Sequence, residues 1–134
     1  MKLLVLASSF LISGSLMAAT FSVSCKKAPN GNQGASVASA SGKLTISTHP
    51  TMPQYKMLKG TLKISASKAG RMVINKKNYK VAGILSTQNI NGVNYKIASL
   101  GPETQPNKLQ SVSVWKGTQG SVIYNGEAYL MICK

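Results

Sequence analysis

Few side chains in this sequence can carry out acid–base or nucleophilic chemistry. Among 134 residues there are two carboxylates, Glu103 and Glu127, one imidazole, His49, two thiols, Cys25 and Cys133, and no aspartate. A paired-carboxylate site, a Ser-His-Asp triad or a multi-ligand metal cage would have to share almost all of these groups. Their settings point the same way. His49 stands in the proline-punctuated run Ser47-Thr48-His49-Pro50-Thr51-Met52-Pro53, which reads as an exposed loop. Glu103 stands in a second such run, Gly101-Pro102-Glu103-Thr104-Gln105-Pro106. Glu127 follows the Asn125-Gly126 turn, where a lysine across the strand can pair with it for ~0–1 kcal/mol. Serine and lysine are abundant, but no strand-to-helix elbow or helical Ser-x-x-Lys context supports a dyad. The expectation is a non-enzymatic protein with no catalytic residue, no metal site and no cofactor.

The two thiols lack Cys-x-x-Cys spacing, and no helix start lies near either. A structural Cys25–Cys133 bridge is therefore expected, with the first and last strands as neighbours. In the chain-entropy model, closing a loop of ~100 residues stabilises the fold by about 4–5 kcal/mol.

The abundant chemistry is positive charge. Sixteen Lys and Arg against two acidic residues give a net charge of +14, and only Arg71 is an arginine. A small domain ordinarily carries a net charge of about 2–8. With so few acids, surface ion pairing cannot be what the lysines are for, and they repel one another. The reading that follows is an anionic partner. Lys56, Lys59 and Lys63 lie in one strand-like run, and Arg71, Lys76, Lys77 and Lys80 surround Asn75. These seven are the candidate binding residues, with Tyr79, Tyr95 and Trp115 as candidate aromatic contacts. A hairpin through Ser67-Lys68-Ala69-Gly70 would bring the two clusters to one end or face. Lysine is a hydrated point charge, whereas arginine is the usual reader of base edges, so sequence-specific nucleic-acid recognition is not expected. Two partner classes remain. One is an anionic polymer or membrane surface; the other is an acidic protein, met by an inhibitor, effector or assembly subunit.

The elements that must position these groups read as strands. Residues Lys59–Ala66 alternate cleanly, with Leu62, Ile64 and Ala66 on one face and Lys59, Thr61, Lys63 and Ser65 on the other. Similar segments are Phe21–Cys25, Lys43–Ser47, Arg71–Asn75, Tyr79–Ser86, Val93–Ser99, Leu109–Trp115, Ser121–Tyr124 and Ala128–Cys133. Turn residues punctuate them at Pro29-Asn30-Gly31, Ala69-Gly70, Asn91-Gly92, Lys116-Gly117 and Asn125-Gly126. No helical stripe is sustained anywhere in the mature region. The predicted fold is all-β: a single-domain antiparallel β-sandwich or small β-barrel of about 8–9 strands. A weak repeat supports hairpins. Asn75, Asn91 and Asn125 each open a turn and are each followed four residues later by a tyrosine, Tyr79, Tyr95 and Tyr129. The Asn-Gly copies suit type I′ turns, whereas the Asn75-Lys76 copy calls for a longer one. The alternation marks Tyr79 and Tyr95 as half-buried packing residues. The last strand is apolar on both faces and should be central or covered.

Residues 1–19 read as a secretory signal peptide, with domain 20–134 following. Met1-Lys2 is a positive start, Leu3–Leu16 carries no charge, and Met17-Ala18-Ala19 supplies small residues before cleavage after Ala18 or Ala19. Removal takes Lys2, leaving 15 basic and two acidic residues, a net +13. The expected location is outside the cytoplasm, periplasmic or secreted, in a bacterium, with no transmembrane span after processing. Trp115-Lys116-Gly117 together with the late Cys133 resembles the membrane-bound and periplasmic inhibitors of C-type lysozyme, which are disulfide-stapled, exported β-barrels. The likeness covers a few residues, and those target enzymes are basic, so a +13 chain is repelled from them at long range. No inhibitory residue is carried over.

Overall fold

A computed structural model describes residues 19–29, 35–104 and 107–134. The expected signal peptide lies outside the described residues apart from Ala19, as do Asn30 and Gly31 of the first predicted turn. Eight strands follow one another: β1 (Thr20–Lys27), β2 (Ser36–Thr48), β3 (Lys56–Lys68), β4 (Arg71–Ile90), β5 (Val93–Pro102), β6 (Leu109–Trp115), β7 (Gln119–Tyr124) and β8 (Glu127–Cys133). Each pairs antiparallel with the next, and β8 returns to β1, so the sheet closes as a barrel. The all-β expectation holds, and barrel rather than sandwich is the outcome.

The alternation is the reason. In a closed sheet the inward residues of each strand fill the lumen and the outward ones meet water. On β3, Leu58, Leu62, Ile64 and Ala66 are buried while Lys59, Thr61 and Lys63 are exposed. Opposite them, Phe21 and Val23 of β1, Leu44 of β2, Val81 of β4, Leu100 of β5, Val112 and Val114 of β6, Val122 of β7 and Met131 of β8 complete the core. Glycine lets neighbouring strands approach where the sheet bends. At Gly83 an added Cβ would stand 1.8 Å from the Ser99 carbonyl oxygen.

Three expectations are refined. Asn91-Gly92 and Asn125-Gly126 are tight turns with paired positive φ values, 52° and 84°, and 51° and 82°, as type I′ turns require. The β3–β4 hairpin also forms as expected, turning at Ala69-Gly70. Asn75-Lys76, however, is no turn. Arg71–Asn75 and Tyr79–Ser86 belong to one strand, β4, with an irregularity between them. Lys76 takes φ +45°, the β3–β4 register shifts on either side of Ala66, and the Lys76 N–H donates to Ser65 Oγ at 2.9 Å. A type I′ turn needs positive φ at both central residues, but here Lys76 alone adopts it, and β3 continues alongside as a partner.

β1 and β8 meet where the sequence anticipated. Cys25 lies directly opposite Cys133, with Cα atoms 4.0 Å apart, and the disulfide spans 108 residues. Only Cys25, Lys26 and Lys27 of β1 pair with β8. Earlier in β1, the Ser24 carbonyl accepts the Lys134 N–H at 3.0 Å, and the Ser22 carbonyl accepts from the Lys116 ammonium, which lies 5.3 Å from the centre of the Phe21 ring. β8 is not covered on both sides. Tyr129, Met131 and Cys133 face the core, but Leu130 and Ile132 are 55% and 47% exposed. A single closed sheet has only one inside, so the second apolar face is left on the surface.

Candidate functional site: a lysine ring on the barrel wall

Charge is distributed unevenly around the barrel. Strands β1–β4 contain eleven lysines and arginines, whereas β5–β8 contain one, Lys96. The cause lies in the outward positions. On β2–β4 lysine, threonine, serine and asparagine share the exposed face with Met57 and Ile84; on β5–β8 it is serine, glutamine and apolar residues, with Lys96 as the one cation.

Register builds the site. Thr61 lies opposite Lys43 of β2 on one side and Lys80 of β4 on the other. Lys59 and Lys63 stand two residues before and after Thr61 on the same face of β3. All five are exposed. Thr61 is therefore the centre of a ring of four lysines. From strand geometry, Lys43 and Lys80 are about 10 Å apart at the backbone, and Lys59 and Lys63 about 13 Å. Ser22, Ser41, Thr45 and Asn78, register partners of ring residues or their neighbours, place neutral hydrogen-bonding groups between the charges. An anion over Thr61 lies about 5–7 Å from each of the four backbone positions, within the Debye length of about 8 Å at physiological salt, so the four charges act on it together.

One acid touches the ring. Glu103 lies 3.4 Å from the Lys59 ammonium, and its backbone N–H donates to the Lys80 carbonyl at 2.9 Å. Lys59 is 72% exposed at its side chain, so the pair is worth little and exchanges readily with an external anion. Glu127, the other acid, pairs with Lys68 at 2.7 Å and accepts from Ser36 Oγ, away from the ring.

Of the seven sequence candidates, Lys59, Lys63 and Lys80 enter the ring, and the rest are dispersed. Lys56 sits at the far end of β3, donating to Thr48 Oγ1 at 3.4 Å. Arg71 lies at the tip of the β3–β4 hairpin opposite Lys68, and Lys76 occupies the β4 irregularity. Lys77 lies over the ring of Tyr79, 5.4 Å from its centre, and both line a cleft at that end of the barrel. Tyr79 is a core residue, 5% exposed, and burial, then the nearby Tyr124, holds its phenol above the ordinary tyrosine range. Tyr95 and Trp115 lie on the opposite wall, their rings 5.7 Å apart and tilted by 54°. Ile97, the direct partner of Trp115, is buried there outside the main core. The residue that sequence reasoning missed is Lys43. Its solvent side was readable from Leu44 and Ile46, but nothing in the local pattern shows which lysines lie across a strand boundary.

His49 has a loop role: its Nδ1 accepts the backbone N–H groups of Thr51 and Met52 at 3.2 and 3.1 Å. Among the described residues no three His, Cys, Asp or Glu side chains gather as metal ligands, and no helix is long and apolar enough to cross a membrane. Comparison with known protein families, with curated proteins and with solved structures gave no match.

Proposed function

We propose that this chain is an exported, non-enzymatic β-barrel that associates with anionic envelope or extracellular polymers through the β2–β4 wall. The observation that carries the reading is the ring of Lys43, Lys59, Lys63 and Lys80 around Thr61, with Glu103 alone as counter-charge. A repeating polyanion laid across such a wall releases its condensed counterions, and no deep pocket is required. The cross-strand disulfide supports an oxidising compartment outside the cytoplasm, in keeping with a secretory leader. The lysine-to-arginine imbalance favours charge attraction over shape-specific gripping.

The test is retention of the mature, oxidised protein on an immobilised sulfated polysaccharide over a range of salt. Lys→Gln changes at positions 43, 59, 63 and 80 together should flatten the log–log salt dependence by roughly three to four, about one per contact. A charge-matched control replaces Lys26, Lys27, Lys96 and Lys134, none of them on β2–β4. If the control loses as much as the ring variant, net charge alone is responsible and the wall has no special role.

A second reading, a protein-interaction module, draws on the opposite wall. There Tyr95, Trp115, Leu130 and Ile132 form an apolar, lysine-poor surface of the kind that can act as a binding anchor. Binding of that sort would persist at high salt and fall on Trp115→Ala.

A further inference from the structure

The cleft that takes up Lys77 and Tyr79 is a second, separate feature. It has a volume of about 580 Å³ and is lined by Lys77, Tyr79, Asn107, Lys108 and Tyr124. No carboxylate lines it, and both acids of the chain are engaged elsewhere, Glu103 with Lys59 and Glu127 with Lys68. Its polar groups are held in order. Asn107 Oδ1 accepts the Leu109 N–H at 2.9 Å, which leaves the Asn107 amide NH₂ to donate. The Lys108 carbonyl accepts the Asn125 N–H at 2.8 Å, pinning the β5–β6 connection to the β7–β8 turn. Lys77 is seated against the Tyr79 ring, and the Tyr79 phenol stays protonated at neutral pH. The wall thus offers two ammonium groups, one amide donor and two phenols, all able to donate, with aromatic surface between them.

From this we infer that the cleft binds a single sugar ring bearing an oxyanion, either phosphate or carboxylate. The ammonium groups and amide meet the oxyanion through charge-assisted hydrogen bonds. The phenols supply contact for the ring and partners for its hydroxyls. A bare oxyanion would leave most of the volume to water, since small-molecule sites run to about 300–1,000 Å³. The site is independent of the lysine ring. A polymer on the wall and a single unit in the cleft use different residues, so either can fail without the other.

The experiment is calorimetric titration of the mature, oxidised protein at fixed ionic strength with four probes: glucose 6-phosphate, galacturonate, glucose and inorganic phosphate. The expected result is one-to-one binding of at least one anionic sugar, about tenfold or more tighter than glucose or inorganic phosphate. The two anionic probes report whether phosphate or carboxylate is preferred. Lys77→Gln and Lys108→Gln should each weaken that binding by roughly fivefold or more, as expected for loss of a charge-assisted contact. Tyr79→Phe, which keeps the core filled, should weaken it less. A Lys43→Gln/Lys63→Gln variant should bind unchanged. No binding of either anionic sugar, inorganic phosphate or glucose binding as well as they do, or equal losses in the ring variant would each overturn the assignment. Thermal melts of every variant separate lost binding from lost fold.

Discussion

Lys68 and Glu127 are ion-paired at 2.7 Å although 59 residues separate them. The contact ties the tip of the β3–β4 hairpin to the start of β8 across Ser36 of β2, whose hydroxyl donates to the other carboxylate oxygen. The hydrogen bond from Lys68, then that from Ser36, holds the Glu127 carboxyl below its ordinary range, and the same Glu127 contact raises the Lys68 ammonium.

The sign of the pH effect follows. A depressed carboxyl contributes stability above its unfolded pKa and loses it as pH falls through the folded value. Glu127→Gln should therefore melt below the parent at neutral pH, and the two melts should converge as pH drops below the ordinary carboxylate range. A gap that stays constant into strong acid would show that the side chain acts through packing alone. On the alkaline side, the raised Lys68 ammonium contributes below its unfolded pKa and loses that contribution as pH rises through its folded value.

The disulfide gives the second expectation. Cys25 and Cys133 face each other where the barrel closes, and both are buried. Replacing both by serine should destabilise the barrel by about 2–5 kcal/mol. Urea denaturation of the variant and of the reduced parent should give similar midpoints, each well below that of the oxidised protein.

Glycine chemistry separates into two kinds. A Cβ at Gly83 would collide with the Ser99 carbonyl and the Leu100 Cα, both backbone atoms that cannot swing aside. Gly83→Ala should lower stability by at least roughly 3 kcal/mol, among the larger single-residue effects. At Gly92 a Cβ meets nothing within 4 Å, and only the positive φ opposes it. Gly92→Ala should cost about 1–2 kcal/mol. Equal losses at the two sites would mean that the β4–β5 strands do not approach as described.

β8 tests which face is inside. Met131→Ala empties part of the core and should cost about 2–5 kcal/mol. Leu130→Ser and Ile132→Ser change exposed side chains and should each stay within about 0.5 kcal/mol. The two serine changes together should also reduce binding of a hydrophobic fluorescent dye, because Leu130 and Ile132 form part of the exposed apolar wall.

Much of the fold was readable because the inward and outward residues of these strands differ sharply in chemistry. The Leu62-Ile64-Ala66 face, the two Asn-Gly turns and the end-to-end cysteines each announce themselves locally. The first half of β2 does not. Its Ser-Val-Ala-Ser-Ala-Ser-Gly run buries Ala38 and Ala40, whose small side chains scarcely stand out from the serines between them. Asn75 misled for the opposite reason, since an asparagine next to a positive-φ residue serves a strand irregularity as well as a turn. The candidate site was only half visible. Which lysines lie outward is a property of each strand, but that Lys43 and Lys80 flank Thr61 is a property of register, set by contacts among residues far apart in sequence. The partners of Glu103 and Glu127 and the walls of the Tyr79 cleft were hidden for the same reason.

The pairing of β8 with β1 also governs when the barrel can exist. Hairpins from β1–β2 through β7–β8 can zip in turn as the chain emerges from a ribosome or a pore, because each joins neighbours in sequence. The seam is different, for β1 must wait with an unpaired edge until the last strand arrives from the other end of the chain. Sealing is thus a single late event with the longest loop in the molecule to close, and truncating β8 would strand an open, sticky sheet instead of a slightly smaller barrel.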